Sequence, residues 1–361
     1  MNDNILYRLA LGYGAFQIVL LNHEIAGHGF RGVELGGTIE EINIGIFGGS
    51  ARTSNMGETH FQEQAVMSLG GNETNYLLSQ KIANSLLEHN QPIDPIMGFG
   101  YMFSAGNQLY YTYRSTNLDG HDLVSYSDDM NKMYGKSSMN INKIRSRGLL
   151  DMLDPVMLTS IYSAATGNNV DIPRLQITDN FGISPFARNI LTPYGALETK
   201  VGAYIFTDYT PIKVGFSYGK QSKTRDAQPL TPDEILEYQK LVSEGKIKQG
   251  DTLGVFSGLK NAESVKNYTT YSADISIFKL FEVGELKIGL DAAFWSQPEL
   301  FVEDPYRAKP KNGYMAVLNG SYKVTNSMSL IARAGYKTKG FVPGQFLEKT
   351  PILSIALQYK L

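Results

Sequence analysis

The sequence predicts an α+β protein. A helical, membrane-associated N-terminal region (residues 1–196) is expected to pack with or inside a C-terminal antiparallel transmembrane β-barrel of about eight strands (residues 197–361). The first observation is composition: 19% of the residues are charged, while 36 are Gly and 22 are Tyr. In such barrels tyrosines line the membrane interfaces and glycines let strands bend. The second observation is that apolar residues alternate with polar or small ones after Leu197, whereas before it they recur at helical spacing.

The C-terminal segments have the length and alternation of membrane-crossing strands. In "PIKVGFSYGK" and "ELKIGLDAAF" nearly every second residue is apolar, and "ILSIALQYKL" repeats the pattern up to the end of the sequence. Segments of about ten residues can cross a bilayer at a tilt. The final segment, with Tyr359 third from the end and an apolar last residue, resembles the C-terminal signal of bacterial outer-membrane proteins. A soluble sandwich or a lipocalin-like barrel is the alternative, because alternation does not identify the solvent on the apolar face.

Two details complete the predicted barrel. Its eighth strand is expected from the N-terminal region, around residues 42–50, where isoleucines alternate with polar residues. A long connection carries a helical loop at residues 231–247, with Thr231 as N-cap and a capping box. If the apolar face meets lipid, Asp at Leu290 should block membrane assembly, and Asp at the neighbouring Gly289 should be better tolerated.

The N-terminal region reads as a series of apolar and amphipathic helices. Residues 5–21 form an apolar helical segment at the short end of the spanning range, interrupted by Arg8. No basic start followed by an apolar run and a cleavage site is visible. The net charge of −2 gives no field that would attract nucleic acid. Cysteine is absent, so a zinc site would need histidine and carboxylate ligands.

The motif "HEIAGHG" contains two of the five histidines, His23 and His28, with Glu24 after the first. Histidines four apart share one face of an α-helix, but residues five apart are separated by about 500° of rotation, roughly 140° off the first. The two imidazoles can meet at one ion only if the helix is locally widened. We therefore predict a π-bulge near residues 25–27, a distortion that clusters at functional sites.

This motif resembles that of the dipeptidyl peptidase III metallopeptidases, which carry His-Glu-x-x-x-His with a glycine before the second histidine. The resemblance covers the seven residues of "HEIAGHG", and that family's second motif is not present in the sequence. It implies that His23 and His28 are zinc ligands and that Glu24 is the catalytic glutamate. It is carried over as a type of site, without the family's fold or dipeptidase activity.

The remaining site residues are predicted from their positions. Glu73, in the first turn of the helical segment "NETNYLLSQ", is the expected third Zn²⁺ ligand, and His60 is the second choice. A transition-state oxyanion needs a donor, for which His121 in "DGHD" is proposed, with Tyr126 as the alternative. The other interpretation of "DGHD" is a polar turn.

Three functions compete at this point. The first is an outer-membrane zinc-dependent hydrolase, a metalloprotease of the Gram-negative cell envelope that uses a zinc-activated water with Glu24 as general base. Its partners would be membrane lipid, a peptide or protein substrate, and other envelope proteins. The second is a non-enzymatic outer-membrane barrel that acts as a structural or assembly subunit of an envelope complex. The third, an intramembrane protease of the inner membrane, is disfavoured by the barrel-like strands.

Overall fold

The computed structural model describes residues 5–46, 48–54, 60–114, 121–134, 138–221, 232–246, 268–302, 308–325 and 327–359. In these ranges the chain is α+β, with a helical layer followed by a large antiparallel sheet. The helices are α1 Ile5–Leu21, a π-helical segment Asn22–Gly29, α2 Phe30–Glu34, α3 Phe61–Glu88, α4 Pro95–Ala105, α5 Asn107–Arg114, α6 Asp122–Tyr134, α7 Ile141–Gly148, a 3₁₀ helix Leu149–Leu153, α8 Pro155–Thr166 and α9 Pro232–Ser243.

The strands form two separate sheets. The small sheet pairs β1 Thr38–Ile44 with β2 Gly49–Ser54. The large sheet contains β3 Leu175–Thr178, β4 Phe181–Leu191, β5 Leu197–Thr207, β6 Ile212–Lys220, β7 Thr269–Val283, β8 Leu286–Pro298, β9 Pro310–Lys323, β10 Met328–Lys337 and β11 Thr350–Tyr359. Each of these strands pairs with its neighbour in sequence, in the order β11-β10-β9-β8-β7-β6-β5-β4-β3.

The large sheet corrects the predicted barrel in two respects. It has nine strands rather than about eight, and it is open, because β3 and β11 are its two edges and do not pair with each other. The strand expected around residues 42–50 belongs instead to the separate β1–β2 hairpin. Two strands of the large sheet, β3 and β4, precede residue 197. The helix expected in the long connection is α9, and its expected N-cap, Thr231, lies outside the described residues.

The two faces of the large sheet differ in chemistry. One face is apolar and exposed: Phe216 is 47% exposed, Leu318 52% and Leu353 77%. The other face is polar and internally bonded. Ser217 donates to Glu198 at 2.7 Å, and Lys200 pairs with Asp274. Apolar and polar residues lie on opposite faces because successive side chains of a strand point to opposite sides, as the alternation in the sequence predicts.

The helical layer packs on the polar face of the sheet near β4 and β5. A core cluster there joins residues from α3, α4 and α8 to Phe186 and Tyr204 of the sheet. A second cluster packs α3 against α6, with Leu69 beside Tyr126 and Met130. Helix α3 is therefore the central helix, since it contacts the sheet-facing core, α6 and the π-helical segment.

The helical stretch Ile5–Glu34 runs from α1 through the π-helical segment into α2. By length and composition it is apolar enough to cross a membrane, a test that a core helix or a signal sequence near the N-terminus also passes. Large apolar side chains are exposed along its length: Leu9 is 63% exposed, Ile18 62% and Ile25 46%. The histidine motif lies within this stretch, near its C-terminal end.

Candidate metal centre

The helix that carries the motif widens where the extra residue falls. Residues Asn22–Gly29 are π-helical, and regular α-helix continues before and after them. This matches the break predicted near residues 25–27 from the five-residue spacing. A π-helical turn holds more residues than an α-helical turn. The extra residue is thus absorbed, and His23 and His28 point to the same side.

Glycines let α3 approach the π-helical segment closely. A Cβ atom at Gly27 would lie 2.6 Å from the Cα of Gly71 and 2.7 Å from the carbonyl oxygen of Gly70. A Cβ at Gly71 would overlap the imidazole of His23. The backbone of α3 therefore packs directly against the segment that carries both histidines.

Three side chains converge at this point. The His23 Nε2 atom lies 2.9 Å from the Oδ2 atom of Asp122, and the His28 Nε2 atom lies 3.1 Å from the same oxygen. The two Nε2 atoms are 3.3 Å apart. His23 and His28 are buried, and Asp122 enters from the first turn of α6. Among the described residues this is a group of one carboxylate and two imidazoles that could hold a metal ion.

The other ring nitrogens contact groups on α3. The Nδ1 atom of His28 donates to the carbonyl oxygen of Met67 at 2.8 Å. The Nδ1 atom of His23 lies 3.1 Å from the amide nitrogen of Asn75, whose oxygen accepts from Asn22 at 3.0 Å. The His28 contact, in which Nδ1–H donates to a carbonyl, is the kind that fixes the orientation of a ligating imidazole. At His23 the Asn75 amide nitrogen is the donor and the Nδ1 atom accepts. The two contacts direct both Nε2 atoms towards Asp122.

The electrostatics of Asp122 depend on the two imidazoles. Burial raises the pKa of its carboxyl, but the charge of His28 and the hydrogen bonds from both histidines outweigh burial. The net pKa lies well below its usual range. Asp122 is therefore ionised at neutral pH, the form in which a carboxylate binds a metal, whereas the charged His28 beside it must lose its proton before its Nε2 atom can bind one.

Glu24 lies beside this group and is 3% exposed. Its Cγ atom is 2.8 Å and its Oε1 atom 3.0 Å from the position that a Cβ would take at Gly49 of β2. No hydrogen bond or ion pair holds its carboxylate to another residue in the described ranges, although the charges of His23, His28 and Asp122 act on it. A buried carboxylate without a fixed partner is available to bind and transfer a proton.

The third-ligand prediction for Glu73 is corrected, because the structure does not bring Glu73 into the group. Its two oxygens accept from the guanidinium of Arg31, and Oε1 also accepts from the backbone amide of Gly344 at 2.5 Å. The same guanidinium pairs with Glu34. The Glu73 carboxylate therefore forms a buried ion pair that joins α2, α3 and the β10–β11 connection.

His60 also lies outside the group, and its predicted ligand role is corrected in the same way. It is the N-cap of α3, where its Nδ1 atom accepts from the amide of Gln62 at 3.2 Å. Glu63 completes the capping box by accepting from the amide of His60 at 2.9 Å. A capping role of this kind satisfies backbone donors at the helix start.

The two predicted oxyanion donors differ in position. Tyr126 is fully buried, and its hydroxyl donates to the carbonyl oxygen of Thr192 at 2.8 Å. It is therefore not available at the site. His121 immediately precedes Asp122, and its ring centroid lies 4.6 Å from that of Tyr111.

The sequence interpretation missed Asp122 and Tyr111. Asp122 is the second aspartate of "DGHD", a motif that the sequence analysis interprets through its histidine or as a polar turn, without a role for this aspartate. Tyr111 of α5 stacks on His23, with ring centroids 5.2 Å apart, and its hydroxyl oxygen is 3.4 Å from the His23 Nε2 atom. The sequence signal that could have identified Asp122 is its position directly after a histidine at the start of a helix.

Replacing Glu73 with Gln should lower the free energy of unfolding by about 3 kcal/mol. This value is at the lower end of the range for breaking a buried ion pair, because Arg31 retains its ion pair with Glu34. Denaturant unfolding in detergent measures the effect. Glu40→Gln is the matched control, since Glu40 pairs with Arg52 on the surface. We expect a change of less than about 1 kcal/mol there. Equal effects of the two variants would contradict the structural role of Glu73.

Comparisons with protein-family models, with curated proteins and with solved structures found no match to this chain.

Proposed function

We propose that this protein is a zinc-dependent hydrolase of the bacterial outer membrane, a metallopeptidase with His23, His28 and Asp122 as zinc ligands and Glu24 as general base. The observation that carries the proposal is the convergence of two Nε2 atoms and one carboxylate oxygen across a five-residue spacing. A regular helix would have separated the two histidines. The π-helical turn and the glycine contacts with α3 act together to hold them at one point.

The three atoms lie close enough together to be ligands of one ion. Zinc binds nitrogen and oxygen at about 2.05 Å, so ligand atoms at tetrahedral angles lie about 3.3 Å apart. The three distances here are 2.9, 3.1 and 3.3 Å. Three protein ligands leave one position for water or substrate, as catalytic rather than structural zinc sites do. The donor set also suits a chain without cysteine.

The bound ion would polarise a peptide carbonyl and acidify a water molecule. The chain's own groups supply the remaining chemistry. Glu24 accepts the proton of the attacking water and passes it to the leaving amine. Tyr111, with its hydroxyl beside His23, donates a hydrogen bond to the oxygen that becomes negative in the transition state. His121 supports Tyr111 through the ring contact.

The membrane location is supported by the distribution of apolar residues. The outward face of the large sheet exposes residues such as Val201, Phe294 and Leu318, while charged pairs lie on the opposite face. Strands of 9–15 residues, from β4 to β11, have the length that crosses a bilayer. The helix Ile5–Glu34 exposes a further apolar stripe. In lipid the edge strands β3 and β11 would need cover from helices or from a second chain.

Metal content and hydrolysis together test the proposed function. Protein purified in detergent should carry one zinc and hydrolyse peptides, and a chelator should remove both properties. A His28→Ala variant should lose the zinc, because it removes one of three ligands. A folded, metal-free wild-type protein without hydrolytic activity would reject the hydrolase and favour a structural or assembly subunit.

The lipid-facing assignment is tested by matched aspartates on β9. Leu318 is on the apolar face and 52% exposed, whereas Ser321 is on the polar face opposite Lys287. Leu318→Asp should destabilise the membrane-inserted state by about 2 kcal/mol and reduce assembly into the membrane fraction. Ser321→Asp should assemble normally. Equal tolerance at both positions would contradict a lipid-facing sheet.

The expected tolerance of Asp at Gly289 is corrected by the structure. A Cβ there would lie 2.7 Å from the carbonyl oxygen of Ile277 and 2.8 Å from that of Phe278. The strand β7 has an irregularity at this point, between Ile277 and Phe281. Any side chain at Gly289 must displace backbone, so Ser321 is the appropriate control.

A further inference from the structure

The imidazole of His23 is hydrogen-bonded on both sides, and its two ring nitrogens have opposite roles. The Nε2 atom lies 2.9 Å from the Oδ2 atom of Asp122, an ionised carboxylate that can only accept, so the ring proton is on Nε2. On the other side, the Nδ1 atom lies 3.1 Å from the amide nitrogen of Asn75 and accepts from it. These two contacts select the tautomer of His23 that is protonated on Nε2.

The orientation of the Asn75 amide is set by a second amide. The Asn75 oxygen accepts from the side-chain nitrogen of Asn22 at 3.0 Å, which leaves the Asn75 nitrogen to face His23. Asn22 begins the π-helical segment and Asn75 is on α3, so the amide pair joins the two elements. Asn75 and His23 are each 1% exposed, so their contact is shielded from bulk water.

This arrangement is the reverse of the one that a bound metal requires. The Nε2 atoms of both histidines converge with Asp122, so an ion at this point binds His23 through Nε2. A neutral imidazole that ligates through Nε2 carries its proton on Nδ1 and donates it to a neighbouring acceptor. With the Asn75 nitrogen facing the ring, the Nδ1–H group would instead meet another donor.

We propose that Asn75 is a positioning residue whose amide rotates by a half-turn when metal binds, so that its oxygen accepts from the Nδ1 atom of His23. The inference rests on the metal site of the proposed function. The rotation directs the Asn75 nitrogen to Asn22, whose amide rotates as well and accepts through its oxygen. His23 releases the Nε2 proton and takes one up on Nδ1, so its charge is unchanged. Each hydrogen bond of the amides is kept with donor and acceptor exchanged.

Asparagine is the side chain that suits both states of the centre. A carboxamide has donor and acceptor groups, whereas a carboxylate at this position could only accept and would require a proton on Nδ1 with or without metal. An alkyl side chain would leave the Nδ1 atom without this partner in both states. The amide of Asn75 therefore orients His23 before the metal binds and afterwards.

Histidine-selective nitrogen NMR of the intact protein, with and without zinc, shows which ring nitrogen is protonated. The His23 signals are assigned by their absence from the spectrum of a His23→Ala variant. We expect the proton on Nε2 in the metal-free protein and on Nδ1 in the zinc-loaded protein. Protonation of the same ring nitrogen in both states would overturn the proposal.

Two buried asparagines of α3 provide a matched pair of variants. Asn75→Ala should weaken zinc binding by about 10–100-fold, because it removes the acceptor for the Nδ1–H group of His23. Asn72→Ala removes a comparable side-chain contact, since the Asn72 oxygen accepts from Asn107 at 3.2 Å, and it should leave zinc affinity unchanged. Equal zinc affinities of the two variants would overturn the role of Asn75.

An Asn75→Asp variant separates the acceptor role from a merely structural one. Its carboxylate accepts from the Nδ1 atom of His23, so the variant should bind zinc at least as tightly as the wild type. A loss of about tenfold or more, as in Asn75→Ala, would assign Asn75 to packing and overturn the proposal while zinc binding by the wild type stands. A wild-type protein that binds no zinc would instead reject the proposed function, and this inference with it.

Discussion

A Glu24→Gln variant should keep its zinc and lose peptide hydrolysis, with kcat falling by roughly 10²–10⁴-fold. Glutamine has the shape of glutamate but cannot accept the proton of the attacking water. None of the three converging ligand atoms belongs to Glu24. The loss is therefore expected in kcat, while the metal stoichiometry and the fold remain. Steady-state kinetics and elemental analysis on the same preparation measure the two quantities.

Glu40→Gln is the control for this experiment, because Glu40 is an exposed glutamate in β1. It should leave kcat and zinc content unchanged. A Glu24→Gln protein that retains wild-type kcat would show that another group is the base. A Glu24→Gln protein that loses its zinc would show that Glu24 is a ligand instead.

An Asp122→Ala variant should bind zinc at least about 100-fold more weakly and lose hydrolysis. Loss of a residue that only hydrogen-bonds to a metal ligand costs about 10–100-fold in metal affinity, so removal of one of three protein ligands should cost more. The affected atom is the Oδ2 that lies 2.9 Å and 3.1 Å from the two histidine nitrogens. Competition with a chromophoric chelator gives the affinity directly.

Glu73→Gln provides the contrast, because the sequence alone favoured Glu73 as the third ligand. That variant should bind zinc with wild-type affinity despite its lower stability, since Glu73 is bonded to Arg31. The reverse result, with zinc retained in Asp122→Ala and lost in Glu73→Gln, would contradict the ligand assignment.

The histidine pair was predictable because its geometry is local. The rotation per residue of a helix makes a five-residue spacing incompatible with a shared ion unless the helix widens. Residues 22–29 are π-helical as that reasoning requires. The third side chain was not predictable, because Asp122 reaches the centre only through the packing of α6 against α3, about a hundred positions along the chain. Glu73 looked suitable in sequence, and its partner Arg31 is distant in sequence as well.

The large sheet was predictable where one face is apolar and the other polar. Strands β6, β8 and β11 show that alternation, and they coincide with the three alternating segments predicted from the sequence. Strand β4 is different, because its residues are buried or partly buried on both faces except at Pro185, which hides the period of two. Whether the sheet closes into a barrel was not predictable either, because closure depends on strand tilt and register rather than on composition. The β1–β2 hairpin alternates like a barrel strand, yet it packs on the helix that carries the motif.

Zinc K-edge X-ray absorption of the purified protein tests directly whether the motif forms one metal centre. We expect a four-coordinate site with two imidazoles and with nitrogen and oxygen ligands at 2.0–2.2 Å, as zinc takes in proteins. His28→Ala and His23→Ala should each remove one imidazole from the spectrum or release the metal. A protein that binds no zinc, or a spectrum with the same number of imidazoles in both variants as in the wild type, would contradict a centre built from His23, His28 and Asp122.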